Sequence, residues 1–293
     1  MNVLIIGASG LVGGNCMNYF TAKSDWKIAG TYFSYEAKNT LFFDTLDLNN
    51  PKNFDIESFQ PDVILHCGAL THVDYCEDHV EESYQKTVQS TKNIIELCKK
   101  YNSKMVFIST DYIFDGKNGP YLEDAATNAL SVYGQHKLDA ENLVRENISD
   151  HLILRITNVY GDEERGKNFI ARVVEQIVEG KKLTLKVPND QYATPINAHD
   201  IARSLFLLLS DDKTGIYNIA STDFMSRVQL CLRILHHFPK AEYDLFPLST
   251  VELNQKADRP LMGGLINQKF MLEYPDFTFS TVDDYISKQS PAH

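Results

Sequence analysis

Six short apolar runs constrain this chain more than any other feature: residues 3–6 (VLII), 27–32 (KIAGTY), 41–43 (LFF), 62–68 (DVILHCG), 104–110 (KMVFIST) and 151–157 (HLILRIT). Each has the length of a strand, and helix-length stretches separate several of them, at 11–22, 71–101 and 131–146. Strands that alternate with helices are joined by right-handed crossovers into a parallel sheet covered on both faces. The expected fold is therefore α/β, a doubly wound parallel sheet of the Rossmann kind. The stretch at 71–101 opens with Thr71-x-x-Asp74, which fits a capping box. Beyond Gly161 the rhythm changes to a helix at 168–179, a short strand at 183–187, a helix at 199–209 and a strand at 215–220. Residues 238–264 read as loop-rich, with Pro239, Pro247 and Pro260 among them. Residues 1–160 are thus expected to form one domain, and 161–293 a smaller α+β region interleaved with it rather than independent of it.

The first run stops at Gly7, and GASGLVG at 7–13 sets Gly7, Gly10 and Gly13 in a G-x-x-G-x-x-G pattern before a helix. Glycine at such a turn lets the backbone approach a pyrophosphate, and the helix start offers unpaired N–H groups and a positive dipole end. Alone the pattern is common; its place in a strand-turn-helix unit gives it weight.

Composition removes several function classes. The formal net charge of -11 comes with no basic stripe, which argues against nucleic-acid or anionic-membrane partners. No apolar run is long enough to span a bilayer, and the four-residue run at the start lacks the basic flank of a signal peptide. Cys16, Cys67, Cys76, Cys98 and Cys231 form an odd, scattered set without a C-x-x-C pair, as expected of free thiols in a reducing cytoplasm. His66, His72 and His79 lack zinc spacing, so no metal is expected.

The sharpest chemical signal follows the fifth run. Tyr133 and Lys137 stand in Y-x-x-x-K on an expected helix, one turn apart on one face. Ser109 and Thr110 end the preceding strand, and ligands sit at the carboxyl ends of such strands. A tyrosine hydroxyl titrates near 10, and a nearby ammonium lowers that value by stabilising the phenolate. Lys137 can also hold ribose hydroxyls, and Thr110 can orient a carbonyl. The set suits proton delivery to a ketone oxygen while a hydride arrives at carbon.

With these residues the chain resembles the extended short-chain dehydrogenase/reductases, and among them the dTDP-4-dehydrorhamnose reductase family. The matching motifs are GASGLVG at 7–13, STDYIFDG at 109–116, SVYGQHK at 131–137, RIT at 155–157, Asn168-Phe169, Asp190-Gln191, Thr194-Pro195, GIYN at 215–218, Ser226-Arg227 and Arg259-Pro260. They cover nearly the whole chain. The resemblance implies NAD(P)H-dependent reduction of the 4-keto group of a nucleoside-diphosphate sugar, dTDP-4-dehydro-L-rhamnose giving dTDP-L-rhamnose, with Thr110, Tyr133 and Lys137 catalytic. It assigns cofactor contacts to Gly7, Ser9, Gly10, Leu11, Val12, Asp47, Leu48, Gly68, Ala69 and Ser109, besides Tyr133 and Lys137. It assigns substrate contacts to Thr71, Asp111, Phe114, Asn168, Arg227 and Arg259.

Structural alternatives stand beside these roles. Asp47 contacts the adenine end or caps a helix near Pro51; Gly68 and Ala69 let the cofactor pass or pack beneath it; Asp111 lines a pocket or braces a turn. Arg227 and Arg259 hold phosphates or form surface ion pairs. Cys67-Gly68-Ala69 replaces the family's Asn-Ala-Ala, and 261–265 reads LMGGL where the family has a serine after the proline. Cys67 reads as a small packing group. The end of the second strand, TYFS at 31–34, offers neither an acid for a ribose 2′-hydroxyl nor an arginine for a 2′-phosphate. Lys38, the nearest cation, tilts the expectation to NADP(H) over NAD(H). Two other outcomes remain open: an epimerase or dehydratase of nucleotide sugars, and a non-catalytic subunit resembling the methionine adenosyltransferase β subunit. The oligomeric state is open too, a homodimer included.

Overall fold

In the computed structural model, which describes residues 1–289, the first half runs β1 (Asn2–Ile6), α1 (Leu11–Lys23), β2 (Lys27–Tyr32), β3 (Thr40–Phe42), α2 (Ile56–Phe59), β4 (Val63–His66), α3 (Val73–Asp78), α4 (Val80–Tyr84), a π-helical turn (Gln85–Gln89), α5 (Ser90–Tyr101), β5 (Lys104–Thr110), α6 (Val132–Asn147) and β6 (His151–Ile156). The second half runs β7 (Val159–Tyr160), α7 (Phe169–Val178), β8 (Leu183–Pro188), β9 (Tyr192–Ala193), β10 (Ile196–Asn197), α8 (Ala198–Ser210), β11 (Gly215–Asn218), β12 (Met225–Ser226), α9 (Arg227–His237), β13 (Tyr243–Leu248), α10 (Thr250–Leu253), α11 (Gln268–Glu273) and α12 (Val282–Gln289). The main sheet has the order β11-β6-β5-β4-β1-β2-β3, with every pair parallel.

Alternate residues of each strand supply the two faces. Val3, Ile5, Leu65, Val106 and Leu154 pack with Phe20 of α1 and Leu205 of α8 on one face. Leu4, Ile64, Met105 and Ile153 pack with Ile94 of α5 and Val144 of α6 on the other. Both faces are buried, which is why these strands read as continuous apolar runs and not as alternating ones. A separate apolar cluster joins α7, α9 and α12 through Val174, Ile234 and Ile286.

Three local expectations change. The 71–101 stretch is not one helix: His72, not Thr71, caps α3 by accepting from the Tyr75 N–H, and the chain breaks again at His79 and at the π turn. No helix begins at Pro51; α2 starts at Ile56, capped by Asp55. The segment expected to be loops contains β13, which pairs with β8 in a two-stranded sheet. Pro247 fits there because an edge strand has a side with no hydrogen bonds to donate.

Candidate active site

The order of the sheet reverses between β1 and β4, and such a switch point opens a crevice beyond the strand ends. Gly7 follows β1 with φ of 83°, and a Cβ there would stand 3.2 Å from the backbone nitrogen of Gly68, which follows β4. The two glycines therefore face each other across the crevice. Gly13 is glycine for packing, since a Cβ would lie 2.5 Å from the Gly7 carbonyl oxygen. Gly10 is different. Its Cβ would meet protein only at 3.4 Å, an ordinary contact, and its φ of -95° suits any residue. Gly10 caps α1 with no side-chain bond, and the first turn carries no acid, so the Leu11 and Val12 end of the helix presents N–H groups to a partly open turn. Those features fit a pyrophosphate: an open cradle, a positive helix end and no competing carboxylate. Ser9 and Ala69 are both partly exposed. Asp47 is exposed and accepts from the Asn49 N–H at 3.3 Å, bracing its own turn, while Leu48 packs against the core.

Tyr133 and Lys137 lie on α6 as the spacing predicts, with Ser131 capping the helix through the Gly134 N–H. Thr110 ends β5 and accepts from the Tyr112 N–H at 3.2 Å, and its hydroxyl favours the phenolate of Tyr133. The Tyr112 ring stands edge-on to Tyr133 at 5.6 Å. Lys137 is 5% exposed, donates to the Ile108 carbonyl at 2.5 Å and lies 4.1 Å over the Phe107 ring. Burial pulls its pKa down to about 8. The expected lowering of Tyr133 by Lys137 does not hold here. Burial pushes the phenol up, partly offset by the Thr110 bond, and the charge of Lys137 acts on His66 and Cys67 instead. A phenol held in its protonated form is the state a proton donor needs.

The remaining residues divide. Ser109 turns away from the crevice and donates to Glu141 at 2.7 Å, and Arg155 pairs with the same carboxylate at 2.6 Å. That buried network escaped sequence reading, although Glu141 sits one turn beyond Lys137 on the same helix. Cys67 is a free thiol that burial pushes up to about 12, as suits a packing group. Phe114 is fully buried, stacked 4.3 Å from Tyr121, so it belongs to the core and not to a sugar pocket. Thr71 lies exposed just before α3. Asn168 caps α7 through the Ala171 N–H at 3.0 Å and so carries a structural duty.

Asp111 is both wall and brace. Its carboxylate accepts from Thr157 at 2.6 Å and from the Gly264 N–H at 3.1 Å, and it lines a cleft with Tyr112, Asn158, Gln191, Tyr192, Arg227 and Gly263. LMGGL at 261–265 passes this point as a belt. Met262 and Gly264 bond the 116–121 loop, while Leu261 and Gly263 bond Tyr192. A Cβ on Gly263 would stand 3.2 Å from Asp111, and Gly264 has φ of 88°. The belt explains both glycines. The arginines differ from one another: Arg259 forms a two-pronged pair with Asp74 at 2.8 and 2.9 Å, the ion-pair alternative. Among the described residues Arg227 has no carboxylate partner. It donates to Asn158 at 3.2 Å and lies 4.8 Å over Phe169, and burial together with the charges of Arg172 and Arg259 lowers its pKa. Among the described residues no cluster of His, Cys, Asp and Glu is placed to hold a metal, and no helix is long and apolar enough to cross a membrane.

Residues 1–279 match the family described as RmlD substrate binding domain. The chain belongs to this family. A dTDP-4-dehydrorhamnose reductase structure from Clostridium acetobutylicum superposes with a TM-score of 0.84 at 25% identity, covering 98% of this chain and 99% of the other. The methionine adenosyltransferase 2 subunit beta of Bos taurus is 29% identical over 266 residues, 89% of this chain and 77% of its own. The spore coat polysaccharide biosynthesis protein SpsK of Bacillus subtilis is 30% identical over 203 residues, 69% of this chain and 70% of that protein. The RmlD match spans the glycine turn, the Tyr133 helix and the Arg227 cleft alike. It supports a role of the sugar-nucleotide reductase or epimerase type.

Proposed function

We propose that the chain is an NAD(P)H-dependent reductase of the 4-keto group of a nucleoside-diphosphate sugar, with dTDP-4-dehydro-L-rhamnose as substrate and dTDP-L-rhamnose as product. The observation that carries this reading is that Tyr133 and Lys137 lie one turn apart on α6, where Lys137 bonds the Ile108 carbonyl near the Thr110 end of β5, beside a glycine turn whose Gly10 has no steric reason of its own. When bound, the nicotinamide cofactor supplies a hydride to the carbonyl carbon. Tyr133 gives its phenolic proton to the carbonyl oxygen, Thr110 orients that oxygen by hydrogen bonding, and the Lys137 ammonium holds the ribose hydroxyls of the cofactor. Arg227, with no carboxylate partner among the described residues, suits the diphosphate of the substrate.

The test is oxidation of NADPH and NADH with a panel of nucleotide 4-keto sugars. Wild-type protein is expected to turn over at least one, and Tyr133→Phe to lose about 10²–10⁴-fold in kcat. An unchanged rate in that variant overturns the mechanism. A second reading, a subunit serving another enzyme, draws on the Bos taurus relative. Stable capture of an enzyme partner, with no oxidation of either cofactor on any sugar of the panel, decides for it.

A further inference from the structure

The loop from Gly161 to Asn168, between β7 and α7, crosses onto the cofactor side of the main sheet. Its base is closed by Asn168, whose Nδ2 donates to the Gly161 carbonyl at 2.9 Å and to the Glu163 carboxylate at 3.0 Å. Its first limb is tied twice at Asp162: the carbonyl accepts from Asn15 of α1 at 2.9 Å, and the carboxylate from the Tyr285 hydroxyl of α12 at 3.0 Å. Its tip reaches the loop after β2. There the Lys38 N–H donates to Glu164 at 3.4 Å, and the Arg165 guanidinium lies 5.2 Å over the Tyr35 ring. The loop therefore bridges the start of α1 and the end of β2.

In a doubly wound sheet the segment after β2 meets the ribose of the adenosine half of a dinucleotide, and an arginine there accommodates a 2′-phosphate. The chain has no arginine in that segment, yet the fold delivers one from residue 165. Neither Arg165 nor Lys38 forms an ion pair among the described residues. The nearby acids keep their charge but pair with neither cation: Glu36 accepts from the Tyr32 hydroxyl at 3.3 Å, Glu164 from the Lys38 backbone N–H at 3.4 Å, and Glu163 from Asn168. Two free cations thus stand at the 2′ end, one of them steadied by an aromatic face.

We propose that Arg165, carried on the loop from the second region, forms with Lys38 the pocket for the 2′-phosphate and so makes NADP(H) the preferred cofactor. This rests on reading the glycine turn as a nicotinamide-dinucleotide site. The guanidinium fork matches phosphate oxygens, and a charged hydrogen bond to a phosphate is lost entirely when the ribose carries a hydroxyl.

The experiment is a fluorescence titration of the full chain with NADPH and with NADH, without sugar substrate. Wild type is expected to bind NADPH more tightly. Arg165→Gln should weaken NADPH by about tenfold or more and leave NADH within about twofold. Lys38→Gln should do the same more weakly, and Arg165→Lys should recover part of the loss. NADH bound as tightly as NADPH by wild type overturns the inference. So does an equal weakening of both dinucleotides in Arg165→Gln, which would mean that Arg165 only braces the loop. Failure of wild type to bind either dinucleotide is a different result: it removes the reading of the glycine turn and the inference with it.

Discussion

At 5% exposure, the Lys137 ammonium has a carbonyl and an aromatic face for company but, among the described residues, no carboxylate at ion-pair distance, because the Glu141 beside it is taken by Arg155 and Ser109. Its pKa falls to about 8 against 10.5 for an ordinary lysine. Below pH 8 both the folded and the unfolded chain hold the proton, and the fold carries the whole cost of the buried charge. Between the two values the unfolded chain binds more protons, so stability rises with pH, and above 10.5 the cost is gone. A shift of this size corresponds to about 3 kcal/mol, reduced by whatever the Ile108 hydrogen bond and the Phe107 face return. Lys137→Met is therefore expected to be more stable than wild type at neutral pH, by about 1–3 kcal/mol, while losing turnover. Urea denaturation across the alkaline range checks the sign. A stability difference that does not shrink as pH rises through 8 would show that burial of charge is not its source. Activity should carry the same signature, since a reductase that needs Lys137 charged loses kcat/KM on the alkaline side near pH 8.

The glycine turn separates two duties that a motif pattern merges. Gly13 lets α1 pack onto the end of β1, and Gly13→Ala would put a methyl 2.5 Å from the Gly7 oxygen and 2.9 Å from the Ala8 Cα. That overpacking should cost about 1–3 kcal/mol in a thermal or urea melt. Gly10→Ala meets nothing closer than 3.4 Å within the protein, so it should melt like wild type and bind dinucleotide at least about tenfold more weakly. Equal effects of the two substitutions on stability would remove the argument that Gly10 is kept open for a ligand. The same contrast shows what was legible. The parallel, doubly wound sheet and the Tyr133 helix followed from apolar period and spacing, because those signals are local. Asp47, Asn168 and Ser109 matched a family position but were spent on a turn, a cap and a buried carboxylate; the first two bond neighbours two and three residues on, and only the Ser109 partner, Glu141, lies far off in sequence. The belt at 261–265 and the approach of Arg165 to Tyr35 left no local trace at all. Each depends on segments more than a hundred residues apart.

Across the whole molecule, the two halves are held together by that belt. The chain at 261–266 trades backbone hydrogen bonds with Gly116, Gly119 and Tyr121 on one side and with Tyr192 on the other, and its Gly264 N–H reaches Asp111 at the end of β5. The second half also returns to the first through β11, which extends the main sheet beside β6, and through α8, which packs beneath it with α1. A chain of 293 residues often unfolds in stages. Here each half lacks a separate surface along which to come away. The single tryptophan, Trp26, packs with Phe20 of α1 and Phe206 of α8, and so reports the core beneath the main sheet to which both halves contribute. Far-UV circular dichroism reports both halves. The two urea transitions are expected to coincide. Gly264→Ala sharpens the test, because φ of 88° and a Cβ 3.0 Å from the Thr194 nitrogen strain the belt without touching either core. It should lower both midpoints together, by about 1–3 kcal/mol of stability. If only the circular dichroism shifts, leaving Trp26 unmoved, the belt does not couple the core beneath the main sheet to the cluster of α7, α9 and α12, which then unfolds on its own.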